Sequence, residues 1–92
     1  MNDYVNIVVI SREENNDHEF VKKAANMFRA AGIDVSDDTD VDSGWAIGEL
    51  DNGTPALMQA YVSPRFIGDE VRLVFHTLEG IGIEYDVVVR ND

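Results

Sequence analysis

The chain contains no cysteine, which excludes both a disulfide framework and a thiolate zinc site. Positive charge is scarce: seven Lys and Arg stand against eighteen Asp and Glu, for a formal net charge of -11 over 92 residues. Such a polyanion repels phosphate, so no direct binding to nucleic acid and no binding to an anionic membrane is expected. The same field attracts basic partners and speeds encounter with them. Long apolar runs are also missing, and none approaches the ~20 residues that span a bilayer. Met1-Asn2-Asp3-Tyr4 carries no base, and the apolar run Val5 to Ile10 is too short for a signal peptide. A cytoplasmic protein is the expectation.

An apolar fraction of 45% is ordinary for a folded globular protein and argues against general disorder. A chain of this length buries roughly 60% of its unfolded surface, enough for one small core. No internal repeat or low-complexity tract is present.

Tyr4 to Ser11 reads as a central strand, with Val5, Ile7 and Val9 facing one way and Val8 and Ile10 the other. Asn16 with Glu19 resembles a capping box that opens a helix. Phe20, Ala24, Met27, Phe28 and Ala31 follow at helical spacing, and Gly32 supplies the stop. The opposite face carries Lys22, Lys23 and Arg29, which suggests that positive charge is segregated from the acidic middle of the chain. Ile33-Asp34-Val35 starts a short strand, and Trp45 to Leu50 resumes extended chain. Asp51-Asn52-Gly53 is a hairpin turn, with Ala56 to Ser63 as the returning strand. A competing pattern makes Thr54 an N-cap and Pro55 the first residue of a short helix through Tyr61. A second helix opens at Glu70, with Val71, Val74, Phe75 and Leu78 as its apolar stripe and Gly80 as its end. Ile81, Ile83, Tyr85, Val87 and Val89 then alternate with Gly82, Glu84, Asp86, Val88 and Arg90, a half-buried strand.

This order predicts one α+β domain over residues 1–92. Its four-stranded, mainly antiparallel sheet carries two helices on one face, the βαββαβ or ferredoxin-like arrangement. The first and third strands are central in that topology, and the second and fourth lie at the edges.

The acidic stretch dominates the remainder. Between Ala30 and Pro64 there is no Lys or Arg, yet Asp34, Asp37, Asp38, Asp40, Asp42, Glu49 and Asp51 all fall there. A run of one sign repels itself and favours solvated, extended chain. A solvated loop that also guards a sheet edge against aggregation is the bland account. Asp38, Asp40, Asp42 and Glu49 match positions 1, 3, 5 and 12 of an EF-hand loop, but Ser43 stands at position 6, where glycine is required. The flanks also read as strand, so no metal site and no cofactor is expected.

Other chemistry is weak. Asn6, Val8 and Ile10 put no aromatic ring on the open sheet face, against the use of such sheets in RNA recognition. Arg12 is followed at once by Glu13 and Glu14, the wrong sign for an anion-binding loop. His18 and His76 lie on different helices as surface residues. No catalytic residue is assigned, and an enzyme is not expected. Trp45 is read either as core or as a partly exposed anchor in an interface, where Trp is enriched.

In size and charge the chain resembles the small phage-encoded inhibitors that imitate DNA, including anti-restriction and anti-CRISPR proteins and inhibitors of repair glycosylases. That resemblance is compositional and covers no motif. It implies a non-enzymatic inhibitor acting in host cytoplasm on the basic, nucleic-acid-binding surface of a partner protein; an immunity protein against a nuclease toxin would look alike. In extended chain Asp38, Asp40 and Asp42 are spaced by about 6.7 Å, the scale of successive phosphates. The expected partner-binding set is Asp34, Asp37, Asp38, Asp40, Asp42, Trp45, Glu49 and Asp51. The alternative is a small structural or regulatory domain that forms a homodimer through a sheet edge.

Overall fold

The computed structural model describes residues 4–13, 17–37 and 44–91. Along the chain run β1 (Val5–Ser11), α1 (Asp17–Ala30), β2 (Val35–Ser36), β3 (Trp45–Glu49), β4 (Pro55–Val62), a single 3-10 turn (Pro64–Phe66), α2 (Ile67–Thr77) and β5 (Tyr85–Arg90). The strands form one five-stranded sheet in the order β2-β3-β4-β1-β5. All neighbours are antiparallel except β2 and β3, where Val35 and Ser36 lie parallel to Trp45 and Ala46.

The expectation of four strands is therefore corrected to five; the sheet is mixed through the single parallel β2–β3 pair, its other three pairings being antiparallel as expected. The extra strand has a simple origin. Val35 is buried on the helix side, and only Val35 and Ser36 enter the ladder before the sequence turns to one sign of charge, a composition that disfavours pairing. A parallel ladder that short asks the connection to retrace very little length. β3 is consequently an inner strand rather than an edge, and the acidic run connects β2 to β3 rather than bordering a hairpin.

One face of the sheet is buried. Val5, Ile7 and Val9 of β1, Trp45 of β3 and Leu57 and Val62 of β4 meet Phe20, Val21, Ala24, Ala25 and Phe28 of α1 and Val74 of α2, with Leu78 and Ile81 closing the cluster. Phe28 meets Trp45 edge to face at 5.1 Å, and Phe20 stacks on Tyr85 at 5.6 Å. Each fully buried large side chain contributes roughly 1.5–3 kcal/mol.

α1 ends as its sequence suggests. Gly32 takes φ 84, its N–H donates to the Arg29 carbonyl, and the Ile33 N–H donates to the Phe28 carbonyl at 2.9 Å. This is a Schellman closure, and it returns Ile33 to the core against the last turn. The capping box at Asn16 lies outside the described residues.

The hairpin between β3 and β4 replaces the competing helix. The Leu50 N–H donates to the Thr54 carbonyl at 2.8 Å, and Gly53, at φ 84, donates to the Leu50 carbonyl. Asn52 Oδ1 accepts from the Thr54 N–H at 3.0 Å, the side-chain mimicry that suits Asn to turns.

α2 begins at Ile67 rather than Glu70, and its phase differs from the expected stripe. Val74 is fully buried, whereas Phe75 is 52% exposed. The inward row is Ile67, Val71, Val74 and Leu78, and Phe75, at one border of that stripe, falls on the rim beside Tyr85, 5.9 Å away. β5 starts at Tyr85; Ile81 is already buried ahead of it, and Gly82 turns the chain with φ 80.

Candidate partner-binding site

The acidic set is organised around the β2–β3 end of the sheet. Asp34 leads into β2 and Asp37 leaves it; Glu49 ends β3 and Asp51 sits in the hairpin turn. All four are exposed. Asp37 and Glu49 line one open depression across β3, together with Ile47, Gly48 and Met58. Glu49 and Asp51 also border a second, on the open face of the sheet, of about 200 Å³, floored by Val8 and Met58 and flanked by Asn6 and Arg90. The four carboxylates thus lie along the β2–β3 edge, Asp34 level with the start of β3 and Asp51 beyond its end. Asp38, Asp40 and Asp42 lie outside the described residues, and so does the central part of the EF-hand pattern. Glu49, its last position, stands on a strand, and no cluster of metal-binding side chains occurs among the described residues.

Trp45 is corrected to a core residue. Only 4% of it is exposed, its indole lying against Phe28 on the helix side of the sheet. Strand alternation causes this: Trp45 shares a face with Ile47, and both point away from the open side where a partner would dock.

The separation of charge also needs correction. Arg29 of α1 donates through Nη2 to the Val35 carbonyl at 2.7 Å and to Asp37 Oδ1 at 3.2 Å. The basic face of the first helix therefore reaches the start of the acidic run. His18, Lys22 and Arg29 border a groove that Asp37, Ile47 and Pro55 close from the sheet side.

Arg12 donates through Nε to Asp86 at 2.7 Å. That bond, with the attraction of Asp86 and Glu84, raises the guanidinium pKa. His18 and His76 are exposed.

One feature of the open face had no signal in composition. The β1–β4 register shifts between Val5 and Ile7, which pair with Val62 and Gln59. The extra residue is a bulge at Ala60-Tyr61, and Tyr61 takes φ 59, an uncommon conformation for a bulky side chain. Asn6 Oδ1 accepts the Tyr61 N–H at 3.3 Å, and Tyr4 packs edge to face on the Tyr61 ring at 6.4 Å. The bulge turns Val62 back into the core after Leu57.

No family model, no curated protein and no solved structure matches the chain. No helix is long and apolar enough to cross a membrane among the described residues.

Proposed function

We propose that the chain is a non-enzymatic acidic binding protein that occupies the basic, nucleic-acid-binding surface of a partner protein, in the manner of a DNA-mimicking inhibitor. The observation that carries the proposal is the row of Asp34, Asp37, Glu49 and Asp51, all exposed, along the β2–β3 edge of the sheet in a chain of net charge -11. Carboxylates on strand ends and a tight turn lose less freedom on binding than those of a loose tail, which favours them as surrogates for phosphates.

A ferredoxin-like core is the scaffold we infer. Its support is the order β3-β4-β1-β5, antiparallel throughout, with α1 joining β1 to the far side of β4 and α2 joining β4 to the far side of β1; β2 is then an addition at the edge. Action in a cytoplasm, and in host cytoplasm for a phage-encoded protein, belongs to the same proposal.

The test is affinity capture from lysate with duplex DNA as competitor. A captured nucleic-acid-binding protein that DNA displaces, and whose retention falls steeply as salt rises, is the expected result. Capture that DNA leaves unchanged would overturn the reading.

A further inference from the structure

The two sheet edges are treated differently. One is guarded: β2 is only two residues long and runs into the acidic segment, both of which discourage pairing. The other is β5, Tyr85-Asp86-Val87-Val88-Val89-Arg90, with no proline, glycine, lysine or bulge along its register with β1. Val88 and Val89 are 39% and 43% exposed, and no strand among the described residues pairs with its outer side. β-branched residues on an open, regular edge are the composition that recruits another strand.

The direction of the main-chain groups follows from the ladder. The Arg12 N–H donates to the Glu84 carbonyl at 3.0 Å, and the β1–β5 register continues from there without a shift. In an antiparallel pair the bonding residues alternate. Asp86, Val88 and Arg90 therefore turn their N–H and C=O groups toward β1, and Tyr85, Val87 and Val89 turn theirs outward.

We propose that β5 pairs antiparallel with β5 of a second copy about a two-fold axis at Val88, joining the two sheets into one. That register places Val87 opposite Val89 of the second copy in reciprocal main-chain hydrogen bonding, uses the outward-facing groups, and sets Val88 against its own counterpart. It also puts Asp86, which Arg12 of its own chain already contacts through Oδ1, opposite Arg90 of the second copy on the open face, twice by symmetry, so opposite charges favour the register. On the helix face the Val87–Val89 pairs lie beside Tyr85 and the exposed Phe75, which touches it, giving the seam an apolar cover. The second copy fits better than a basic partner here, because the edge carries one acid, one base and three valines rather than a run of carboxylates.

The association has an unusual salt signature. Two chains of -11 repel at long range, so screening tightens the dimer while it loosens any complex with a basic protein. The two activities can thus be separated in one titration.

Sedimentation equilibrium of the full chain should show a monomer–dimer equilibrium that shifts toward dimer as salt rises. Val89→Lys, which places a charge in the seam, should raise the dissociation constant at least tenfold with the fold intact by circular dichroism. The absence of cysteine permits a test of register. Val88→Cys should form an intermolecular disulfide readily, because non-hydrogen-bonded opposite residues approach to about 4.5 Å between Cα atoms. Val89→Cys should cross-link at least tenfold more slowly, since its counterpart lies diagonally across the seam. A monomer at all concentrations up to about 1 mM, where even weak association shows, would overturn the proposal. A dimer indifferent to Val89→Lys would also do so, and equal cross-linking by the two cysteine variants would overturn the Val88 register.

Discussion

Arg29 holds Asp37 and the end of β2 with a single guanidinium, 3.2 Å from the carboxylate and 2.7 Å from the Val35 carbonyl. The acidic segment therefore leaves the sheet from a fixed point on α1, despite the repulsion along it. The two contacts are unequal. Asp37 has an 82% exposed side chain, where water screens the pair. The carbonyl bond is partly buried and charge-assisted, the stronger kind.

From that asymmetry, Arg29→Ala is expected to destabilise the protein by about 1–2 kcal/mol and Asp37→Asn by less than about 0.5 kcal/mol, read by urea unfolding. Equal losses would place the strength in the ion pair instead. Under the proposed function, Arg29→Gln also unmasks Asp37 and should tighten partner binding.

The core gives a sharper contrast between two phenylalanines. Phe28 is fully buried against Trp45, whereas Phe75 is half exposed. Phe28→Ala should cost about 3–5 kcal/mol, and Phe75→Ala under about 1.5 kcal/mol. Thermal and denaturant midpoints check both. A large loss at Phe75 would mean that α2 turns its apolar rim inward in solution.

These two residues also show what the sequence makes legible. Phe20, Ala24 and Phe28 repeat at helical spacing through a helix of fourteen residues, and a long periodic stripe fixes its own phase. α2 has eleven residues and begins a turn earlier than its sequence suggests; Ile67 then joins Val71, Val74 and Leu78 in the inward row, which leaves Phe75 at the border. Asp51-Asn52-Gly53 announces its turn because the chemistry is local. β2 is announced only in part: Ile33-Asp34-Val35 signals a short strand, but its parallel pairing with Trp45 and Ala46 is a relation the local sequence does not carry. The bulge at Tyr61 is hidden for the same reason, since it exists only against Asn6. At the candidate site, the exposure of Asp34, Asp37, Glu49 and Asp51 follows from their charge. The burial of Trp45 follows from strand parity, which cannot be assigned until the strand has neighbours.

Tyr61 is the one described non-glycine residue with positive φ, a conformation that costs of order 1 kcal/mol or more. The residue is 64% exposed, so removing its side chain loses little beyond the contact with Tyr4. Tyr61→Gly should leave stability unchanged or raise it by up to about 1 kcal/mol, because glycine adopts this backbone freely. Asn6→Ala should be destabilising, since it removes the acceptor for the Tyr61 N–H. A marked loss in Tyr61→Gly would show that the Tyr4 contact, rather than the backbone, holds the bulge.

Tyr85 supplies a pH dependence. Burial between Phe20 and Phe75 pushes its phenol pKa above the ordinary value of 10.0. The folded state thus retains this proton more tightly than the unfolded chain. Its contribution is fully present below about pH 10 and is lost as pH rises through the higher folded value. Stability against urea should fall across that alkaline window, and Tyr85→Phe should flatten the fall. An identical decline in the variant would assign it to other groups.

The functional proposal turns on whether position or total charge matters. Asp34→Asn, Glu49→Gln and Asp51→Asn together remove three exposed charges from the acidic end without touching the core. Relief of repulsion should leave stability unchanged or slightly higher, while partner binding should weaken. A carboxylate that meets Arg or Lys across a desolvated interface contributes on the order of 1.5–3 kcal/mol, whereas rim pairs contribute little. At least a tenfold loss of affinity with a flatter salt dependence is therefore expected, and replacing Asp38, Asp40 and Asp42 by Asn should act in the same direction. The control removes equal charge elsewhere through Glu19→Gln, Glu79→Gln and Glu84→Gln, all exposed and none in the acidic segment. Long-range attraction falls similarly in both triples, so the control should slow association slightly and leave dissociation alone. The site triple should act mainly on the dissociation rate, where short-range contacts are felt. If the two triples weaken binding equally and through association alone, the protein is a diffuse polyanion, and the end of the sheet has no special role.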